Sequence, residues 1–231
     1  MEIVPFKYTN PFVNLKYEPT RIFYFGDTTI RIHQNVADRE SISLHQNTGN
    51  VIWDGAYVLA DYLDQHLDIK DLSTVELGAG CGLLSLLSLA KGAKTVVATD
   101  LPEHLDHIQL NVTENVKDSD HLSRIHVQSL AWGDAASGAA LKVTQPDLIV
   151  ASEILYLEDL HADLLRTLNA LSTHSTRVLM SYKNRNMGEE KFFTRAKALR
   201  WNIEMVEARS LHKEFQTGEY RVFYMTRRSQ S

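Results

Sequence analysis

The stretch VELGAGCGLL, residues 75–84, joins one apolar run to a second through a turn that holds three glycines. Gly78, Gly80 and Gly82 let the backbone approach a ligand closely, and the helix expected to follow offers free N–H groups at its start. The next apolar run, KTVVATD, ends on Asp100. In a β-α-β unit an acid at that place can accept hydrogen bonds from both hydroxyls of a ribose. The pattern therefore predicts a nucleotide-type binding site, with a tight turn that binds nothing as the alternative.

The spacing of the glycines narrows the class of nucleotide. A dinucleotide fingerprint reads G-x-G-x-x-G/A, whereas here the third glycine comes one position early and Leu83 stands where the last small residue belongs. The P-loop pattern G-x-x-x-x-G-K-[ST] is absent from the sequence. The turn thus lacks a tailored seat for a pyrophosphate, and an adenosine ligand without phosphates, S-adenosylmethionine, fits it better.

Strand-like and helix-like patterns alternate along the chain from residue 53 onward. This alternation predicts an α/β fold, namely a Rossmann-like, seven-stranded, mostly parallel sheet with helices on both faces. The last two strand-like runs have no helix pattern between them, so we expect an antiparallel C-terminal hairpin within the sheet. In chain order the seven runs are STVELG, KTVVATD, RIHVQSL, DLIVASE, RVLMSYK, NIEMVEA and YRVFYMT.

The N-terminal part of the chain has a different pattern. Residues 1–20 carry three prolines and look irregular, and RIFYFGDTTIRIH at 21–33 predicts a small N-terminal β-hairpin extension. The length of 231 residues fits a single domain. We expect an N-terminal extension at 1–50 and a Rossmann-like catalytic core at 51–231.

The composition limits the classes of partner. Formal net charge is −5 and the pI is near 6.0, so no basic surplus is available for phosphates and we expect no nucleic-acid partner. The single cysteine, Cys81, fits a reducing compartment. The start MEIVPFKYTN is unlike a signal peptide, and no apolar run is long enough to cross a bilayer. We expect a soluble cytoplasmic or nuclear protein with no membrane partner.

Several segments resemble a known protein family. VELGAGCGLLSLL, VVATDLPEHLDHIQLNV, LAWGD and DLIVASEILYLED are similar to the seven-strand, class I S-adenosylmethionine-dependent methyltransferases. GNVIWDGAYVLADYL resembles the tryptophan-led helix of the methyltransferase-like 21 group of protein-lysine methyltransferases. The C-terminal segments SYKNRNMGEEKFF to HKEFQTGEYRVFYM look closest to a member of that group that acts on an AAA ATPase. The resemblance covers about residues 45–228.

The resemblance implies a cofactor, a substrate class and a set of site residues. The methyl donor would be S-adenosylmethionine, and the substrate a lysine of a cytosolic protein such as a chaperone, an AAA ATPase or a translation elongation factor. No metal is implied. Glu153 and Tyr156 would face the incoming amine as catalytic residues. The implied cofactor-binding residues are Trp53, Glu76, Gly78, Ala79, Gly80, Asp100, Trp132 and Ser152.

Position 153 departs from the family pattern, since the usual Asp-x-x-Tyr is here Glu-x-x-Tyr. The departure bears on the role of this acid more than on the class of reaction. A lysine ammonium has no lone pair, and freeing the amine at pH 7 costs roughly 4.6 kcal/mol. We expect Glu153 to position and help desolvate the amine and Tyr156 to shape the channel. The alternative is that Glu153 merely caps a helix that starts near Glu158.

Other chemistries have weaker support in the sequence. His104 and His107 have the spacing of a metal pair but no evident third ligand, and Cys81 is expected to be a small packed residue. The Asn/Asp-Pro-Pro-Tyr turn typical of base-amine methyltransferases is replaced by Ser-Glu-Ile-Leu-Tyr. Two alternatives to protein-lysine methylation stay open, namely a small-molecule N-methyltransferase and an S-adenosylmethionine-binding module without turnover.

Overall fold

In the computed structural model, which describes residues 18–36 and 48–228, a seven-stranded sheet forms the centre of the fold, and two further strands form a separate hairpin. The strands of the described residues are β1 (Thr20–Phe25), β2 (Thr28–His33), β3 (Ser73–Leu77), β4 (Thr95–Asp100), β5 (Ile125–Ser129), β6 (Leu148–Ser152), β7 (Arg177–Lys183), β8 (Trp201–Met205) and β9 (Tyr220–Arg227).

Helices connect most of the strands of the large sheet. In the described ranges they are α1 (Asp54–His66), α2 (Leu83–Ala90), α3 (Leu105–Asn115), α4 (Ser119–Arg124), α5 (Ala135–Ala139), α6 (His161–Leu171) and α7 (Glu189–Ala198).

The strand order of the large sheet places a binding crevice at its centre. The order is β5-β4-β3-β6-β7-β9-β8, and the first five of these strands run parallel to one another. From β3 the chain moves outward to β4 and β5, and it then returns to the other side of β3 as β6. Open α/β sheets bind ligands beyond the carboxyl ends of the strands at such a reversal. The antiparallel β9 lies between β7 and β8, which confirms the expected C-terminal hairpin.

Both faces of the sheet are covered, which explains why its central strands are apolar throughout. Along β6, Leu148 and Val150 face a core formed with α1, α2 and α3, whereas Ile149 and Ala151 face a second core formed with α6 and α7. Successive side chains of a strand point to opposite faces, so a strand buried on both faces needs an unbroken apolar run.

The N-terminal hairpin packs against α3, and two side chains of this helix form hydrogen bonds with the backbone of the free edge strand β2. The Arg31 N–H donates to Asn115 Oδ1 (2.8 Å), and Asn115 Nδ2 donates back to the Arg31 carbonyl (2.7 Å). One turn earlier, the His33 N–H donates to Asn111 Oδ1 (2.8 Å), and Asn111 Nδ2 donates to the His33 carbonyl (3.1 Å). The unpaired backbone groups of β2 thereby find partners without a further strand.

The predicted α/β fold is confirmed, and two short helices are additions to it. The patterns at 73–77 and 83–90 form β3 and α2 as expected, with Lys91 and Gly92 just past the helix end. Neither α4 nor α5 has an apolar stripe, and a side-chain cap starts each of them, from Asp118 and Asp134. Most of the irregular start expected at 1–20 lies outside the described residues. No described helix is long and apolar enough to cross a bilayer.

Candidate functional site

A cavity of about 450 Å³ opens at the carboxyl ends of β3, β4 and β6. Its volume lies within the range of small-molecule and cofactor sites. Three side chains at the strand ends reach it, those of Asp100, Ser152 and Glu153. Every site residue expected from the sequence lines this one cavity: Trp53, Glu76, Gly78, Ala79, Gly80, Asp100, Trp132, Ser152, Glu153 and Tyr156.

The charge of the cavity wall is one-sided. Four acidic side chains line it, namely Glu76, Asp100, Glu103 and Glu153, whereas no lysine or arginine of the described residues does. The described part of the wall therefore offers no lysine or arginine to a phosphate group. It suits a ligand that is itself positively charged.

The glycine turn after β3 allows its backbone to lie against neighbouring atoms. Gly78 and Gly80 have φ values of +67° and +55°, a region that a side chain rarely adopts. A Cβ at Gly80 would lie 2.9 Å from the Gly49 carbonyl oxygen, and one at Gly78 would lie 3.4 Å from the Trp132 ring. The turn thus brings bare backbone to the cavity and next to an aromatic ring.

Asp100 ends β4 and is held by two backbone donors. The Gly80 N–H donates to its Oδ2 (2.7 Å), and the Leu101 N–H donates to its Oδ1 (2.8 Å). Burial raises the pKa of this carboxyl, and these two hydrogen bonds act in the opposite direction. Each oxygen keeps a second lone pair for a ligand hydroxyl. Asp100 therefore lies beside the glycine turn, at the position that the sequence predicted.

Glu76 lies on β3 and is tied to the start of α2. Both the backbone N–H and the hydroxyl of Ser85 donate to its Oε2, at 2.8 and 2.5 Å. The side chain is buried, and desolvation raises its pKa to about 8. Glu76 therefore joins strand to helix in addition to lining the cavity, a role that the sequence did not indicate.

We predict that Glu76→Gln removes a pH dependence of stability. An acid whose pKa is raised in the folded state stabilises the fold fully below its unfolded value, and this stabilisation is lost as pH rises towards the folded value. By that linkage the free energy of unfolding of the wild type falls by about 3 kcal/mol more than that of the variant between pH 5 and 7.5. Urea unfolding of both proteins across this range measures the difference. If the free energy of unfolding of the two proteins changed equally with pH, folding would not raise the pKa of Glu76.

Trp53 and Tyr156 meet through Thr48. The Trp53 Nε1–H donates to the Thr48 carbonyl (2.8 Å), and the hydroxyls of Thr48 and Tyr156 are 2.9 Å apart. The short helical turn at Thr48–Asn50 thereby connects the residue before α1 with the loop after β6. It also closes one side of the cavity, since the Gly49 carbonyl lies over the glycine turn.

Glu153 directly follows β6 and has a positive φ of 56°. Its N–H donates to the Ser181 carbonyl of β7 (2.9 Å), which holds the sharp turn in place. The side chain is buried, and Arg185 Nη1 lies 2.5 Å from its Oε2. Its Oε1 is buried and has no hydrogen-bond partner among the described residues. Desolvation raises the pKa of this carboxyl, and Arg185 opposes that rise.

The alternative role of Glu153 as a helix cap is wrong. The helical turn that begins at Glu158 follows Leu157 and has no side-chain cap, and the Glu153 carboxylate points to Arg185 instead. A buried polar atom without a partner costs about 1–3 kcal/mol, so its presence calls for an explanation. Glu153 thus has one oxygen paired with Arg185 and one buried oxygen that lies against Gly55 without a hydrogen-bond partner in the described part of the chain.

The other reactive side chains considered from the sequence are either packed in the core or located at the surface. Cys81 is buried, and desolvation raises the pKa of its thiol, as expected for a small packed residue. Among the described residues, the one group of three close metal-ligand candidates lies at the exposed start of α4 and excludes His104 and His107. Glu158 is paired with Lys191 and Arg195.

Three functional neighbours were missed by sequence reasoning. Arg185 pairs with Glu153 from 32 positions further along the chain, so no periodic pattern joins them. Gly55 lies in the first turn of α1, and a Cβ there would overlap Glu153 Oε1. Thr48 contributes its hydroxyl to Tyr156 across 108 positions. The sequence signal available for Gly55 was a glycine at the start of an otherwise regular helical pattern, where most residue types would be tolerated.

Comparisons with known proteins agree on a family. A family model described as lysine methyltransferase matches residues 34–199. Protein N-lysine methyltransferase METTL21A of Mus musculus is 30% identical over 197 residues, which cover 84% of this chain and 85% of that protein. EEF1A lysine methyltransferase 3 of Mus musculus is 31% identical over 193 residues, which cover 83% and 78%.

Solved structures share the fold at low sequence identity. A methyltransferase crystallised in complex with SAH superposes with a TM-score of 0.61 at 11% identity, covering 90% of this chain and 56% of that chain. This likeness supports the Rossmann-like architecture alone. The matched family model spans most of the chain, including the glycine turn, Asp100 and Glu153. The chain therefore belongs to the lysine methyltransferase family.

Proposed function

We propose that this protein transfers a methyl group from S-adenosylmethionine to a lysine ε-amine of a protein. The observation that carries the proposal is a single cavity that combines a ribose-type acid, Asp100, with a buried acid that keeps one oxygen free, Glu153. Acidic side chains line the cavity while no lysine or arginine of the described residues does, which suits the positive charge of a sulfonium.

The residues present fit the cofactor. Asp100 has a free lone pair on each oxygen for the ribose hydroxyls, and the Trp132 ring borders the glycine turn where an adenine would need a flat apolar contact. A side chain at Gly80 would press on the Gly49 carbonyl, so the narrow cradle depends on glycine there. When bound, S-adenosylmethionine supplies an electrophilic methyl group on a positively charged sulfonium.

The acceptor side of the site must hold an amine that has lost its proton. A lysine with its reference pKa of about 10.4 is almost wholly protonated at pH 7, and burial among apolar groups lowers that value. The free Oε1 of Glu153 can accept a hydrogen bond from the amine and orient its lone pair. Tyr156, held by Thr48, borders the same part of the cavity. Glu153 acts by positioning, and the proton leaves to water before the amine enters.

The class of substrate is part of the proposal. The resemblance to enzymes that act on chaperones, AAA ATPases and elongation factors, together with a relative named EEF1A lysine methyltransferase 3, supports a lysine on a cytosolic protein of one of these three classes. We also propose a cytoplasmic site of action, which the single buried cysteine supports.

Transfer of tritium from labelled S-adenosylmethionine tests the proposal. Purified protein is incubated with a lysate of cells that lack its gene, beside the isosteric variant Glu153→Gln. We expect a discrete labelled protein band, reduced about 100-fold with the variant, because loss of correct positioning costs on that scale. Undiminished labelling by the folded variant would contradict the role of Glu153. Label found only in small molecules would replace the protein substrate by a metabolite amine, and label in RNA or DNA would replace it by a base.

A further inference from the structure

We infer that Arg185 is a positioning residue of the acceptor site, which holds one oxygen of Glu153 so that the other stays free and ionised for the substrate amine. The inference rests on the proposed function, since it assigns a role at the same site. Arg185 does not line the cavity, and it acts through the carboxylate that does.

The contact between the two side chains is short and mostly shielded from water. Arg185 Nη1 lies 2.5 Å from Glu153 Oε2, and the same nitrogen donates to the Lys183 carbonyl at 3.3 Å. The exposed fraction is 27% for the Arg185 side chain and 6% for that of Glu153. The arginine is therefore the outer, partly hydrated member of the pair, and the glutamate is the inner one. Charge-assisted bonds of this kind fix geometry as well as charge.

A second buried acid fixes the loop that carries Arg185. The N–H of Arg185 donates to Glu189 Oε1 (3.0 Å), and the N–H of Met187 donates to Glu189 Oε2 (2.8 Å). Glu189 is itself buried at the first turn of α7. Positive φ values at Asn186 and Gly188 complete the tight path between β7 and α7. Glu189 thus fixes the backbone at Arg185 through hydrogen bonds, so the guanidinium is pre-organised for Glu153.

Among the described residues, Arg185 is the side chain that forms an ion pair with Glu153. Asp54 of α1 adds a like charge that raises the pKa of Glu153, and it accepts a hydrogen bond from the Tyr220 hydroxyl of β9 (3.0 Å). Lys183 of β7 pairs with exposed Glu219 rather than with Glu153. Without Arg185 the buried carboxyl would gain a proton more readily, and a protonated carboxyl has fewer lone pairs with which to accept a hydrogen bond from the amine. Its two oxygens would also become free to exchange places.

A titration and a mutant cycle test the inference. The side-chain carboxyl carbon of Glu153, labelled with ¹³C and assigned by its loss in Glu153→Gln, is followed against pH in wild type and Arg185→Gln. We expect the midpoint to rise by about one unit or more in the variant, since one unit corresponds to a modest ion-pair energy. This readout does not require methyl transfer, so it stands apart from a failure of the proposed function. Arg195→Gln, which removes a cation paired with Glu158, is the matched control and leaves the midpoint unchanged.

Steady-state kinetics supply the second arm. Arg185→Gln should lower kcat about tenfold with an unchanged KM for the cofactor, and the double variant with Glu153→Gln should be no slower than Glu153→Gln alone. Arg185→Lys keeps the charge and should recover part of the loss. If Arg185→Gln does not fold, Arg185→Lys decides: transfer no better than that of Glu153→Gln would overturn the inference. An unchanged carboxyl midpoint in folded Arg185→Gln, or additive losses in the double variant, would also overturn it.

Discussion

Replacing Gly55 with alanine is expected to reduce methyl transfer about 100-fold or more, because a misplaced reacting group costs on that scale. The added methyl would overlap Glu153 Oε1 in the first turn of α1. The carboxylate has no free path away, since Arg185 holds its Oε2 and the side chain is buried. Alanine itself favours the helix by about 1 kcal/mol over glycine, so the protein should stay folded. Thermal unfolding and cofactor titration measure the fold, and label transfer measures activity.

Gly138 provides the matched control for this substitution. It lies in α5, and nothing comes within 4 Å of the place where its Cβ would be, so Gly138→Ala should leave methyl transfer unchanged. Shortening the acid should relieve the overlap, and the double variant Gly55→Ala with Glu153→Asp is expected to recover much of the lost activity. Full activity of Gly55→Ala alone would show that methyl transfer does not depend on the observed position of the Glu153 side chain.

Asp100→Ala should weaken the binding of S-adenosylmethionine and of its product at least about 100-fold, a loss equal to two charge-assisted hydrogen bonds at the low end of their range. The carboxylate is the acceptor available to ribose hydroxyls beside the glycine turn, and its geometry is set by the N–H groups of Gly80 and Leu101. Isothermal titration with S-adenosylhomocysteine measures the dissociation constant directly and requires no protein substrate.

Asp106→Ala is the control for the cofactor prediction. Asp106 is an exposed acid of the first turn of α3 and has no part in the cavity wall, so its loss changes the charge equally without touching the site. We expect its dissociation constant to match that of the wild type. A dissociation constant for Asp100→Ala within about threefold of the wild type would mean that the ribose is held elsewhere, since threefold is less than one hydrogen bond.

The parts of the fold that were predictable from sequence depend on local or periodic signals. Apolar runs at 73–77, 95–100 and 148–152 mark strands because a sheet covered on both faces requires them. Asp100 and Glu153 each end such a run, and parallel strands bring their carboxyl ends to one edge. The cavity could therefore be located from the glycine turn and these two acids.

The contacts that set the acceptor geometry were not predictable in this way. Arg185, Gly55 and Thr48 reach the site across long stretches of chain, and their roles arise from side-chain packing rather than from spacing. The positive φ of Glu153 is also a tertiary effect, because the Ser181 carbonyl holds its N–H. The short helices α4 and α5 lack an apolar stripe, so periodicity had no means of finding them.

The chemical form of the transferred label tests the central claim most directly. Protein labelled with tritiated S-adenosylmethionine is hydrolysed in acid, and the amino acids are separated beside standards of methylated lysine, arginine and histidine. The proposed function, in which Glu153 positions a lysine amine, predicts that the label elutes with ε-N-methyllysines and disappears with Gly55→Ala. Label that elutes with methylarginine or methylhistidine, or label that persists at the wild-type level in Gly55→Ala, would contradict the account.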